Sequence, residues 1–248
     1  MALFLDSLGL SKVKENQAEI INLFGDVTKS EGQDYDYKKV DYKKGLSLVA
    51  RLAKEGDDLS IVGVDSHVSN SNIWQAKPVM SLGQTSELPA VVFSSLDEKN
   101  AFIVNIIEAG LSNAILKEEQ SVKLQVCGFP SQMAVYNDRA DYEAKTEPPQ
   151  MSDKMLFPYY FYNLQSEDIS EEQQKIYSEN ILFNIYSGEV LETEEVKYLD
   201  SSENCYYSTV KTNLGNLQLV YSSNVVKLPL EKGNYIVGSV YLSAKIIK

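Results

Sequence analysis

Only one histidine is available for proton transfer in these 248 residues, His67, and it stands in the tripeptide Asp65-Ser66-His67. With a carboxylate to orient it, such an imidazole can act as a general base toward a serine or a thiol. Cys127 and Cys205 are the two candidate thiols. Nothing in the spacing brings these groups together, and no nucleophile-elbow pattern is present. A hydrolase built on His67 therefore ranks behind two binding readings, and no catalytic residue is assigned.

Other chemistry is equally poorly supplied. Glu192, Glu194 and Glu195 cluster beside Val196, but without the spacing of a calcium loop. One histidine and two distant cysteines do not make a zinc or iron set. The glycines at 56, 63, 83, 110 and 128 lack the spacing that cradles phosphate. No metal and no cofactor is expected.

The formal charge is −12, and Arg51 and Arg139 are the only arginines. Arginine's planar fork is the usual tool for phosphate and base contacts. The paired lysines Lys38-Lys39 and Lys43-Lys44 are interleaved with Asp34, Asp36 and Asp41, so nucleic acid is disfavoured as a partner. Two unclustered cysteines suit a reducing compartment. The first ten residues lack a basic leader and a cleavage site, and no apolar run approaches the ~20 residues that span a bilayer. These features lead us to expect a cytoplasmic protein without membrane contact; its oligomeric state is not encoded in any pattern.

Residues 1–27 carry Val13, Ile20, Leu23 and Phe24 at helical spacing behind a Ser11 cap, with Gly25 as terminator. A polar stretch to Lys44 then leads into a strand from Leu46 to Leu52, a turn at Glu55–Asp58, and a second strand from Leu59 to Val64. A third candidate, Ile73–Leu82, contains Pro78 and so belongs at an edge or a bulge. Ser95-Leu96-Asp97-Glu98 reads as a capping box, with Phe102, Ile103, Ile106 and Ile107 as the buried stripe of a helix ending at Gly110. Val122, Leu124 and Val126 alternate as a strand. Strands on either side of a helix predict an α+β domain with an antiparallel sheet over residues 1–147.

Pro148-Pro149 marks the expected domain boundary. Residues 148–180 form a connector with five aromatics, Phe157, Tyr159, Tyr160, Phe161 and Tyr162, followed by a short helix at Ser170–Ser178. The aromatics read either as a plug between two domains or as a protein-binding surface. From Ile181 to Lys248 short alternating strands are separated by turns, including Asn213-Leu214-Gly215-Asn216. Their number and length predict a small OB-like β-barrel.

The run Gly233–Ser243, with the strand pair from Thr212 to Val220, resembles a C-terminal segment of bacterial proteins of unknown function. The resemblance spans the last quarter of the chain, implies an OB-like barrel, and brings no activity with it. Barrels of that kind bind oligonucleotides or oligosaccharides on a strand face, stacking rings on aromatics. Tyr198, Tyr206, Tyr207 and Tyr221 are the candidates for such a platform. The leading expectation is a non-catalytic binding protein that contacts another protein; the alternative is an oligonucleotide- or oligosaccharide-binding module.

Overall fold

The computed structural model describes residues 5–10, 17–25, 30–31, 36–55, 58–82, 90–107, 120–148, 150–162, 181–198, 203–227 and 229–247. The helix expected at Ser170–Ser178 and the Ser11 cap lie outside them. A short helix α1, Gln17–Phe24, precedes the first sheet, and Gly25 ends it with φ +47. Four antiparallel strands follow in the order β1-β2-β3-β4: Ser30–Glu31, Asp36–Asp41, Leu46–Glu55 and Asp58–Val68.

Among the described residues the second sheet has nine strands. They are β5 (Ile73–Ser81), β6 (Ala90–Ser95), β7 (Ala101–Ile106), β8 (Val122–Tyr136), β9 (Met155–Pro158), β10 (Phe183–Val196), β11 (Cys205–Thr212), β12 (Gly215–Ser222) and β13 (Tyr235–Ile247). At its centre lies an antiparallel ribbon of β8 and β13, paired from Tyr136↔Tyr235 to Lys123↔Ile247. At one end β5 pairs with β8 and β7 pairs with β13, and β6 joins β5 to β7. At the other end β12 pairs with β8 and β10 with β13, and β11 joins β12 to β10. The pairings thus close two five-membered rings that share one ribbon.

Strand alternation sorts the residues of that ribbon. Leu124, Val126, Val240, Leu242 and Ala244 point into one continuous core with Trp74, Phe93, Phe102 and Tyr221. Cys127, Phe129 and Tyr241 point the other way, into a second core with Leu46, Leu48, Leu52 and Val64 of the four-stranded sheet. That sheet therefore covers the outer face of the ribbon. Pro130 sits inside β8 because a bulge lies there: Pro130 pairs with Val240 and Gln132 with Ser239, so Ser131 is the extra residue.

The α+β expectation is corrected to an all-β architecture. The helix expected from Ser95 to Gly110 is a β-hairpin over its described part. Ser95 N–H donates to Asn100 O at 2.8 Å and Glu98 N–H to Ser95 O at 2.9 Å, while Ser95 Oγ accepts from Asn100 N at 3.1 Å. Glu98 takes φ +58 at the tip, and its carboxylate meets Lys77 at 2.8 Å. Phe102, Val104 and Ile106 face the ring core, while Ile103 packs on Ala90 and Val92. Both faces of β7 are buried, so its apolar run lacks the alternation that marks a half-buried strand.

The separate C-terminal barrel is corrected as well. β10 to β13 close only by taking β8 from the N-terminal half as their fifth strand. The polar segment around Pro148 contains helix α2, Arg139–Lys145, capped by Asp138, whose carboxylate accepts from Asp141 N–H at 2.8 Å. The Arg139 guanidinium lies 5.0 Å from the ring centres of both Tyr142 and Tyr235 and donates to Tyr235 Oη at 2.7 Å. A contact of this kind docks the segment onto β13. A fragment ending at residue 147 leaves β8 without both β13 and β12; it is expected to show no cooperative thermal transition, which circular dichroism checks directly.

Candidate functional site

His67 and Cys127 do meet. The imidazole lies between Cys127 Sγ, 3.5 Å from Nδ1, and Gln125 Oε1, 3.2 Å from Nε2. A neutral ring donating from Nε2 to the amide oxygen and accepting the thiol proton at Nδ1 satisfies both contacts. The elements explain the meeting: β4 lies across the outer face of the ribbon, and Val68 N–H donates to Cys127 Sγ at 3.2 Å. Gln125 also donates to Asn70 O, and Asn70 Nδ2 donates to Val126 O at 2.8 Å. The edge of β4 thus finds side-chain partners instead of a further strand.

The same seam holds a buried ion pair. Arg51 Nε lies 3.3 Å from Asp65 Oδ2, and Asn105 Nδ2 donates to Asp65 Oδ1 at 2.9 Å. Burial raises the Asp65 carboxyl above its usual range, against the opposing pull of Arg51 and Asn105. At the seam's other end Lys245 Nζ donates to Ser47 Oγ at 2.9 Å, and Ser47 donates to Asp41 Oδ1 at 2.6 Å.

This geometry resembles a nucleophilic dyad in its pairs but not in its setting. His67 and Cys127 are fully buried. Burial pushes the Cys127 thiol up to about 12, with the Val68 N–H and Lys245 only partly opposing it. A thiol that keeps its proton across the physiological range is no nucleophile. Cys205 is buried too and pushed up to about 12. Among the described residues, no group of three or more His, Cys, Asp or Glu is placed to hold a metal ion, and no helix is long and apolar enough to cross a membrane.

The four tyrosines expected to form a platform are not on one surface. Tyr221 is fully buried in the ring core, and Tyr198 is buried between the sheets. Tyr206 and Tyr207 are adjacent on β11, so alternation turns them to opposite faces. Tyr206 sits against Tyr221 with ring centres 5.5 Å apart, and Tyr207 donates to Gln218 Oε1 at 2.9 Å. Of the aromatic segment, Phe157 lies in β9, which ends at Pro158, and Tyr159–Tyr162 form the short helix α3. Tyr159 packs into the inter-sheet core and Phe161 against Ala90, Val92 and Ile103. The side chains of Tyr160 and Tyr162 lie outside the described ones.

A groove lies elsewhere, between the β6–β7 and β11–β12 turns, with a volume of about 390 Å³. Its floor is Trp74 and Phe102, whose rings meet edge to face at 5.3 Å. Its walls carry Gln75, Ser95, Asp97, Asn100 and Asn213. Leu214 completes the lining with two exposed apolar side chains, Ile73 at 49% and Leu96 at 46%. The two turns are tied together, since Asn213 Nδ2 donates to Asn100 Oδ1 at 2.7 Å. Trp74 Nε1 donates to Asn216 O at 3.1 Å, which fixes the indole. No motif singles these residues out; the one signal in the sequence is Trp74 itself, the sole tryptophan.

No family model, curated protein or solved structure matches the chain.

Two outcomes check the reading of the seam. Native protein at pH 8 is expected to resist alkylation by iodoacetamide at both cysteines and to label fully in urea, as read by mass spectrometry. Because the folded thiols sit above their unfolded value of 9.0, the unfolded chain ionises first. Stability is therefore complete below pH 9 and falls as pH rises toward 12, and Cys127→Ala removes part of that slope. Separately, Arg51→Met or Asp65→Leu alone is expected to cost about 3–5 kcal/mol, and the double variant clearly less than their sum, in urea denaturation.

Proposed function

We propose that this is a non-catalytic binding protein whose recognition site is the groove between the β6–β7 and β11–β12 turns. The observation that carries this reading is the groove's composition: an aromatic floor, flanking apolar side chains that remain exposed, and several polar groups converging on one volume. Convergent polar groups over an apolar floor are the usual make-up of a ligand site. The seam around His67 and Cys127 has the residue types for catalysis but is sealed between sheets, so it serves the fold. The aromatic segment at Phe157–Tyr162 spends its described rings on packing, which moves recognition away from it. Free, buried thiols are in keeping with a cytoplasmic setting.

A thermal-shift screen across neutral saccharides, nucleotides, short peptides and lipids tests the reading. One class is expected to raise the Tm of the wild type by about 5 °C or more when present at roughly a hundredfold excess over Kd. The rise should vanish in Gln75→Trp, which fills the groove from an exposed position, and persist in Cys127→Ala. A ligand that stabilises wild type and Gln75→Trp equally, or a hydrolytic turnover lost in Cys127→Ala, would overturn it.

A further inference from the structure

Resting on that reading of the groove, we infer that its ligand is a short neutral saccharide. Charge narrows the choice first. The described lining residues include one carboxylate, Asp97, and no lysine, arginine or histidine. Hydrogen bonds from Ser95 and the Lys99 N–H lower the Asp97 carboxyl below its ordinary value, which favours its charged form. A phosphate or sulfate entering the groove would face that charge with no cation among the described lining residues, on a chain of net charge −12.

Hydrogen-bonding capacity narrows it further. Gln75, Asn100 and Asn213 each carry a carboxamide, which donates and accepts in one plane, whereas the Ser95 hydroxyl is already engaged by Asp97 and the Asn100 N–H. Ligand hydroxyls, which also donate and accept, match this set. A wholly apolar ligand would strip water from those amides without replacing it, at roughly 1–3 kcal/mol for each group left unsatisfied. The floor supplies the other half of the match. Leu96 and Ile73 offer exposed apolar surface to the C–H face of a sugar ring, with the buried edge of Trp74 (7% exposed) beneath them, while the hydroxyl edge of the ring reaches the amides.

The fixed geometry favours a rigid ligand. The Asn213–Asn100 bond and the Trp74–Asn216 bond hold the two walls and the floor in place before anything binds. A preorganised site loses little side-chain entropy on binding, and a ring-shaped ligand has few rotors of its own to lose.

Trp74 is the only tryptophan and borders both the groove and the ring core, so its fluorescence is a single-site probe of the groove floor. Titration of the intact protein with a panel of neutral disaccharides containing glucose, mannose, galactose and N-acetylglucosamine is expected to give a saturable change for at least one. In ¹H–¹⁵N spectra the same sugar should shift the side-chain amides of Gln75, Asn100 and Asn213. Gln75→Ala, at an exposed position where folding is not at stake, should weaken binding about tenfold, the loss of one neutral hydrogen bond. Asn213→Ala should weaken it by at least as much, and the sulfated form of the same sugar should bind more weakly than the neutral form. A neutral peptide or apolar probe that saturates the Trp74 response where no sugar does would overturn the saccharide assignment and leave the groove as a binding site. Silence of Trp74 toward every class would overturn both.

Discussion

The pairing of β8 with β13 is the constraint on which the rest of this molecule depends. A strand has two edges, and here each long strand gives one edge to its partner along its whole length. The remaining edge of β8 is divided between β5 and β12, and that of β13 between β7 and β10. Two rings can share a ribbon only if both strands are long enough to serve each ring in turn. Close backbone approach is part of this arrangement: a Cβ on Gly238 would collide with the Gln132 carbonyl, beside the bulge that admits Pro130. Where the rings diverge, β7 needs another partner. Asn184 of β10 supplies it, accepting from Ile103 N–H and donating to Ile103 O, each at 2.8 Å.

The outer face of the ribbon sets a second condition. Gln125, Cys127, Ser243 and Lys245 alternate there with the core residues, a pattern suited to water. The four-stranded sheet covers that face, so its own strands answer with Ser47, Arg51, Asp65 and His67. The match is incomplete, because among the described residues Asn105 Oδ1 and Ser243 Oγ are buried without a hydrogen-bond partner. Each such group costs about 1–3 kcal/mol, and a buried ion pair rarely adds net stability over apolar residues of the same shape. What the seam does supply is register. A slip of one residue along β4 would turn Asp65 and His67 away from Asn105 and Gln125 and leave charges buried alone. Leu46, Leu48 and Val64, which alternate with those polar residues, belong to the second core together with Cys127, Phe129 and Tyr241.

This division also explains what could be read from the chain by itself. β3, β4 and β12 expose one face or pack their faces against different layers, and their alternation is visible in Leu46, Leu48, Ala50 and Leu52, or in Leu217, Leu219 and Tyr221. Pro78 was legible as an irregularity, and the register of β5 against β6 shifts between Pro78 and Met80. β7 was not legible, since burial on both faces erases the period. Its Ser95–Glu98 start fits a helix cap as well as the hairpin turn it forms, because both use a serine oxygen to accept a nearby backbone N–H. Helix α2 was hidden by its polar composition, although Asp138 is an ordinary cap. The tyrosines misled for a related reason: an aromatic on a strand is equally at home in a core, and Tyr198 and Tyr221 are there.

The groove could not have been found in the sequence, because its two walls belong to different rings. The turn from Ser95 to Asn100 closes the ring of β5, β6 and β7, while Asn213 and Leu214 lie in the hairpin of the other ring. Their proximity follows only from the shared ribbon, which sets β12 against β8 at Gln218↔Cys127 next to β5 against β8 at Ile73↔Gln125. Those neighbouring registers carry Trp74 within reach of Asn216. Because β5 and β12 share one edge of β8, neither hairpin can shift without breaking ladder hydrogen bonds. The walls of the groove are thus anchored to the ribbon through β5 and β12 and tied to each other by the Asn213–Asn100 bond, which favours a ligand that fits them as they stand.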